Sequence, residues 1–157
     1  MFKEVFKNVR DTCPLIHNIT NYVTVNDCAN ILIACGASPI MADDPEEVAE
    51  ITELCQGLNI NIGTLNSRTI ESMLKAGIRA NELTHPVVLD PVGAGASMLR
   101  TETALNLLDQ IKFAVIRGNV SEIKTLAMEK GTTMGVDAKA SDKITKEVID
   151  AGKDLKI

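Results

Sequence analysis

Residues 85–97 read HPVVLDPVGAGAS, and this run decides the fold. Val87-Val88-Leu89 is a short apolar, partly β-branched segment closed by Pro91, Gly93 and Gly95. That is the pattern of a core strand in a parallel sheet. The strand ends on Asp90. In an open α/β sheet, ligands sit beyond the carboxyl ends of the strands. Asp90 therefore stands where chemistry is usually done, beside glycines that let the backbone approach a ligand closely. An Asp in a D-P-x-G run also caps turns, and the spacing leaves both roles open.

Outward from this strand, the chain alternates short apolar runs with helical periodicity. Upstream, Phe2, Val5, Phe6 and Val9 predict an amphipathic helix over 2–11, stopped by Pro14. Leu15-Ile16-His17 is a brief strand. Residues 18–27, NITNYVTVND, set three asparagines and two threonines among β-branched residues. Such side chains compete for backbone bonds and favour turns. They suit recognition of a small polar ligand, and equally an Asn-rich helix start. Residues 27–35 are apolar almost all round, which predicts a helix buried on most sides, with Gly36 as its left-handed cap. A second strand covers 38–41. Asp44-Pro45-Glu46-Glu47 predicts a helix N-capped by Asp44, running to about Cys55 and ended by Gly57. A third strand covers 58–62, and Asn66-Ser67 open a helix to about Leu83.

Downstream, Thr101 is the expected cap of a helix over 102–111. Residues 113–116 form a fifth strand ending on Arg117-Gly118-Asn119, and Ser121-Glu122 begin a helix to about Met128. Residues 129–143 read as a surface loop, and Ser141 as the cap of a last helix. The expectation is one α/β domain over 1–157: a mostly parallel sheet with flanking helices and right-handed crossovers. The pattern stops after a helix, which predicts a C-terminally incomplete sheet with an unpaired edge.

Composition excludes several classes of function. A net charge of -5 without a Lys/Arg cluster argues against nucleic acid. Aromatics at 3%, with no Trp, leave no stacking platform for bases or sugars. No apolar run is long enough to span a membrane, the first residues do not resemble a signal peptide, and a cytoplasmic protein is expected. Cys13, Cys28, Cys35 and Cys55 form no C-x-x-C pair and read as core thiols of a reducing compartment, with a structural zinc as the weaker alternative.

Candidate chemistry gathers at three strand ends. Met41 follows one strand, Asp90 another, and Arg117, Asn119 and Glu122 a third. Carboxylates at neighbouring strand ends suit hydrated Mg²⁺, and a planar guanidinium suits phosphate oxygens. Together they suggest phosphoryl transfer, in which positioning and charge neutralisation dominate. No Walker A motif is present, and Gly93-x-Gly95 is not a dinucleotide fingerprint. Taken singly, each residue is equally well a cap or a surface ion pair.

The runs HNITNYVTVNDCANILIACGASPIMADDPEE (17–47), LNINIGTLNSRTIESML (58–74), HPVVLDPVGAGAS (85–97) and VIRGNVSEIKTLA (115–127) closely resemble the hydroxyethylthiazole kinases, a ribokinase-like family. The resemblance covers the N-terminal portion of those longer proteins. It implies ATP-dependent, Mg²⁺-assisted phosphorylation of the hydroxyl of 4-methyl-5-(2-hydroxyethyl)thiazole in thiamin biosynthesis. It implies that Met41 lines the thiazole pocket and that Asn21 and Val23 contact thiazole across the subunit boundary of a homotrimer. It places Asp90 and Glu122 at the metal and Arg117 at an ATP phosphate. Asn119 and Glu122 are similar to the family's N-x-x-E motif, on the ATP side. The family's catalytic base and anion hole belong to a C-terminal segment without a counterpart here. No catalytic residue is therefore expected in this chain, and little turnover from these residues alone. The alternative is a truncated relative that binds thiazole without catalysis.

Overall fold

The computed structural model describes residues 2–129 and 149–150. Helices and strands alternate: α1 Phe2–Thr12, β1 Leu15–Ile19, α2 Val25–Cys35, β2 Ser38–Met41, α3 Val48–Leu54, β3 Gly57–Asn61, α4 Ser67–Glu82, β4 Val87–Asp90, α5 Met98–Gln110, β5 Val115–Ile116 and α6 Val120–Glu129. The five strands make one parallel sheet in the order β2-β1-β3-β4-β5. The chain runs outward from β1 to β2, then crosses back to β3. That reversal sets the topological switch point between the carboxyl ends of β1 and β3.

Strand alternation decides which helix each side chain meets. On β1, His17 bonds to Thr52 of α3, while its neighbour Asn18 reaches Cys28 of α2 on the opposite face. The main core lies on the α3–α6 side. Ile19, Leu58, Ile60, Val87 and Leu89 from the strands pack there on Val48, Met73, Leu107 and Leu126. Each such side chain contributes about 1.5–3 kcal/mol of burial free energy. Ala76, Ala80 and Ala104 let helices approach closely. Gly77 does so further, because a Cβ there would overlap the Ile111 side chain.

Local chemistry explains the boundaries. Gly36 takes the left-handed conformation (φ 99°) and closes α2, as its position predicts. Asn66 caps α4 in a capping box with Thr69. Several expectations change. α3 starts at Val48, because Asp44 spends its side chain and carbonyl on a turn over 44–47, with Asp44 Oδ1 accepting from Glu46 N–H at 3.0 Å. Gly57 opens β3 rather than ending α3. Ser97, not Thr101, caps α5. Thr101 lies inside the first turn, donating to Ser97 O and accepting from Gly95 N–H, both at 2.9 Å. β5 covers only Val115–Ile116, and Phe113 before it is buried in the core.

The largest difference concerns α2. Its apolar sequence predicts burial, yet none of its residues is buried, and Ile31 and Ile33 are 61% and 60% exposed. Its inner side covers β2 and meets α1, and within this chain nothing described covers the rest. The thiols differ too: only Cys55 is buried, and Cys13 is exposed. The loop over 129–143 lies almost entirely outside the described residues. Of the helix expected after Ser141, Ile149 and Asp150 are described, and both are helical.

Candidate active site at the strand ends

Parallel strands bring all the predicted strand-end residues to one edge of the sheet. Asp90, Arg117, Asn119 and Glu122 line a single cleft of about 310 Å³, together with Val92 and Gly118. β4 places Asp90, the end of β5 places Arg117, and the N-terminus of α6 places Asn119 and Glu122. Arg117 Nη1 donates to Asp90 Oδ2 at 2.7 Å. The Arg117 side chain is 77% exposed, so solvent screens this pair. An exposed pair contributes roughly 0–1 kcal/mol, so the guanidinium is cheaply released to another anion.

Glu122 is held more tightly. Its Oε1 accepts from Gly93 N–H at 2.9 Å and its Oε2 from Asn119 N–H at 2.8 Å. Asn119 Oδ1 accepts from Glu122 N–H at 2.9 Å, which completes a reciprocal cap on α6. The carboxylate thus ties the glycine turn after β4 to the start of α6. Gly93 (φ 77°) and Gly95 (φ 90°) both need the left-handed region here. Behind the turn, Arg100 of α5 donates to Gly63 O at 2.7 Å and joins the β3 and β4 loops.

Asp90 Oδ2 also accepts from Asn61 Nδ2 at 3.0 Å. Two donors therefore converge on one oxygen, and Oδ1 is the open oxygen of a carboxylate that lines the cleft. Mg²⁺ needs few protein oxygens, keeps several waters and usually shares substrate phosphates. One open carboxylate oxygen facing a cleft with Glu122 fits that demand. Among the described residues no cluster of three metal-ligating side chains exists, so the donor set suits a hydrated cation rather than an all-protein cage.

The other three predicted residues stand at the β1–β2 end of the same edge. Asn21 is buried, and its Oδ1 accepts from Val23 N–H, Thr24 N–H and the Thr24 hydroxyl at 3.0, 3.1 and 3.2 Å. Its Nδ2 donates to Asn61 Oδ1 at 3.0 Å. The Asn21 side chain therefore builds the turn, and the turn presents Val23, which is 83% exposed. Met41 ends β2 and is exposed. Tyr22 braces the turn, its N–H donating to Thr64 Oγ1 at 3.1 Å and its hydroxyl to Asp43 Oδ2 at 3.3 Å. Sequence reasoning missed Asn61 and Arg100. Polar residues at alternate positions of LNINI were the available signal for Asn61.

Behind this edge, burial pushes the His17 imidazole below its ordinary range. Nε2 faces Ala42 O and Nδ1 the Thr52 hydroxyl, each at 2.9 Å. A carbonyl only accepts, so Nε2 carries the proton of a neutral ring. His17 thereby fixes the chain between Met41 and Asp43. Burial also raises the Cys28 and Cys55 thiols.

The family model described as hydroxyethylthiazole kinase matches residues 6–154. The chain belongs to this family. It is 70% identical over 150 residues to the hydroxyethylthiazole kinase of Clostridium acetobutylicum, covering 96% of this chain and 55% of that relative. It is 59% identical over 153 residues to the Clostridium beijerinckii protein of the same name, with the same coverage of 96% and 55%. Among solved structures, the hydroxyethylthiazole kinase of Pyrococcus horikoshii OT3 superposes with a TM-score of 0.79 at 50% identity, over 82% of this chain and 50% of that one. The chain spans about half the length of the family members it matches.

Proposed function

We propose that this chain supplies the N-terminal half of a kinase site that transfers the γ-phosphoryl of ATP to the hydroxyl of 4-methyl-5-(2-hydroxyethyl)thiazole in thiamin biosynthesis. The observation that carries this reading is the shared cleft of Asp90, Arg117, Asn119 and Glu122, in a chain of this family. Asp90 and Glu122 would hold hydrated Mg²⁺, which neutralises phosphate charge and orients the transferring group. Arg117, mostly solvated and weakly paired, turns its fork from Asp90 to a phosphate oxygen as the nucleotide enters. Asn119 and Glu122 fix the start of α6 against the Gly93 turn, so the cleft wall does not yield as charge arrives.

The alcohol is assigned to the Val23–Met41 end of the edge. The exposed Val23 and the outward apolar side of α2 favour closure of that end by a second subunit, in a homotrimer with sites between chains. None of the described residues is assigned as the base that deprotonates the alcohol. Residues 1–157 are taken as one domain portion of a cytoplasmic enzyme, in keeping with free cysteines among the described residues. No helix among them is long and apolar enough to cross a membrane.

The test is turnover by protein isolated from its native source. With Mg²⁺, ATP and the thiazole alcohol, the expected products are the phosphate monoester and ADP in equal amounts, read by mass spectrometry. Folded protein that binds the alcohol but forms no ester would overturn the assignment.

A further inference from the structure

The topological crevice between β1 and β3 is closed by one side chain that the phosphoryl-transfer chemistry does not use directly. Asn61, the last residue of β3, is 9% exposed. Its Oδ1 accepts from Gly63 N–H at 2.9 Å and from Asn21 Nδ2 at 3.0 Å. A backbone N–H can only donate, so it fixes the orientation of the amide. The NH₂ group is thereby committed to Asp90 Oδ2, at 3.0 Å. Gly63 is needed for this, because a Cβ there would sit 2.9 Å from Asn21 Cβ and 3.0 Å from Asn61 Oδ1.

We propose that Asn61 is a positioning residue: its amide holds Asp90 with one oxygen occupied and the other open to the cleft, and couples that carboxylate to the turn over 21–24. Asn21, Asn61, Asp90 and Arg117 then form one hydrogen-bonded chain across the ends of β1, β3, β4 and β5. The alcohol end and the Asp90 carboxylate are joined through the Asn61 amide, whose direction the Gly63 N–H fixes. A single amide sets both, and Asp90 need not search rotamers when a cation arrives. The catalytic meaning of this role rests on the kinase reading; the coupling itself does not.

Asn61→Asp separates positioning from simple structural support. The variant keeps the shape, and its oxygen still accepts from Gly63 and Asn21. It loses the donor and sets a carboxylate against Asp90. The charged groups around the pair are Asp90, Arg117 and, across the cleft, Glu122, with Arg100 behind on Gly63 O. In NMR spectra of the 157-residue chain, N61D is expected to leave the Gly63, Val23 and Thr24 amide signals near their wild-type positions. The Asp90 carboxyl and Arg117 guanidinium signals should shift, because the donor to Asp90 Oδ2 is gone and a carboxylate faces it. Asn61→Ala, which removes the acceptor as well as the donor, should move both groups of signals. Wild-type Asp90 and Arg117 signals in N61D, or Gly63, Val23 and Thr24 amides that shift as far as in Asn61→Ala, would overturn the proposal.

Loss of a supporting partner around a metal ligand typically costs about 10–100-fold in activity or metal affinity. N61D enzyme should lose that much in kcat, with KM for the alcohol changed little. Absence of turnover in wild-type enzyme would count against the kinase reading, and the NMR comparison would still decide the role of Asn61.

Discussion

Gly63→Ala sets two physical expectations against each other. Gly63 has an ordinary backbone conformation and is not among the glycines of positive φ. Replacing such a glycine usually stabilises by about 0.4–1 kcal/mol, because the unfolded chain loses freedom. Here the new Cβ would meet Asn21 Cβ at 2.9 Å, Asn61 Oδ1 at 3.0 Å and Asn21 Cγ at 3.2 Å. Neither partner gives way cheaply. Asn21 Cβ is fixed by a turn that spends its amide oxygen on three donors, and the Asn61 amide is held by Gly63, Asn21 and Asp90. Overpacking of this kind costs about 1–3 kcal/mol, and one weakened buried hydrogen bond adds about 1 kcal/mol. Against the entropic gain, the net is a destabilisation of about 2 kcal/mol. Urea unfolding of wild type and variant measures it directly. With m near 2 kcal/mol/M, the midpoint should fall by about 1 M at unchanged m. A variant as stable as wild type, or more stable, would refute the claim that this crevice is packed around the Asn61 amide.

Two other changes follow from particular contacts. Asn66→Ala removes the capping box at the start of α4 and should cost about 1 kcal/mol in the same urea assay; Asn66→Gly should cost less, and equal stability of all three proteins would contradict the capping account. Burial holds the His17 imidazole below its ordinary value of 6.5. The unfolded chain therefore takes up a proton that the folded chain refuses, so this contribution is full above 6.5 and is lost as pH falls from there towards the folded-state value. The difference in urea stability between wild type and His17→Gln should shrink across that window, and a difference that grows as the pH falls would contradict the buried neutral ring.

Much of this fold is legible in short stretches of sequence. VVLD followed by Pro and Gly admits only a strand end and a turn, and Gly36 and Asn66 sit where helix ends need a left-handed residue or an acceptor. The strand-end cleft was legible for the same reason: parallel strands bring Asp90 and Arg117 to one edge wherever the helices settle. What failed depended on partners. The sequence of α2 shows that its surface is apolar, not what covers it. Ser97 and Thr101 are both capping residues, and only the path of the chain through Gly95 chooses between them. Asn61 was hidden because alternation in LNINI reads as a polar face towards solvent, whereas that face meets the Asn21 turn and Asp90. For Asn21 the sequence does not show that its side chain shapes the turn that exposes Val23.

The measurement that bears most directly on the central claim is paramagnetic broadening by Mn²⁺-ATP in ¹⁵N spectra of the chain, which registers even weak binding. The account predicts that the amides of Gly93, Gly118 and Asn119 broaden first, that excess Mg²⁺ reverses this, and that Asp90→Asn abolishes it. Broadening centred elsewhere, or unchanged by Asp90→Asn, would contradict a cation and phosphate site between the ends of β4 and β5.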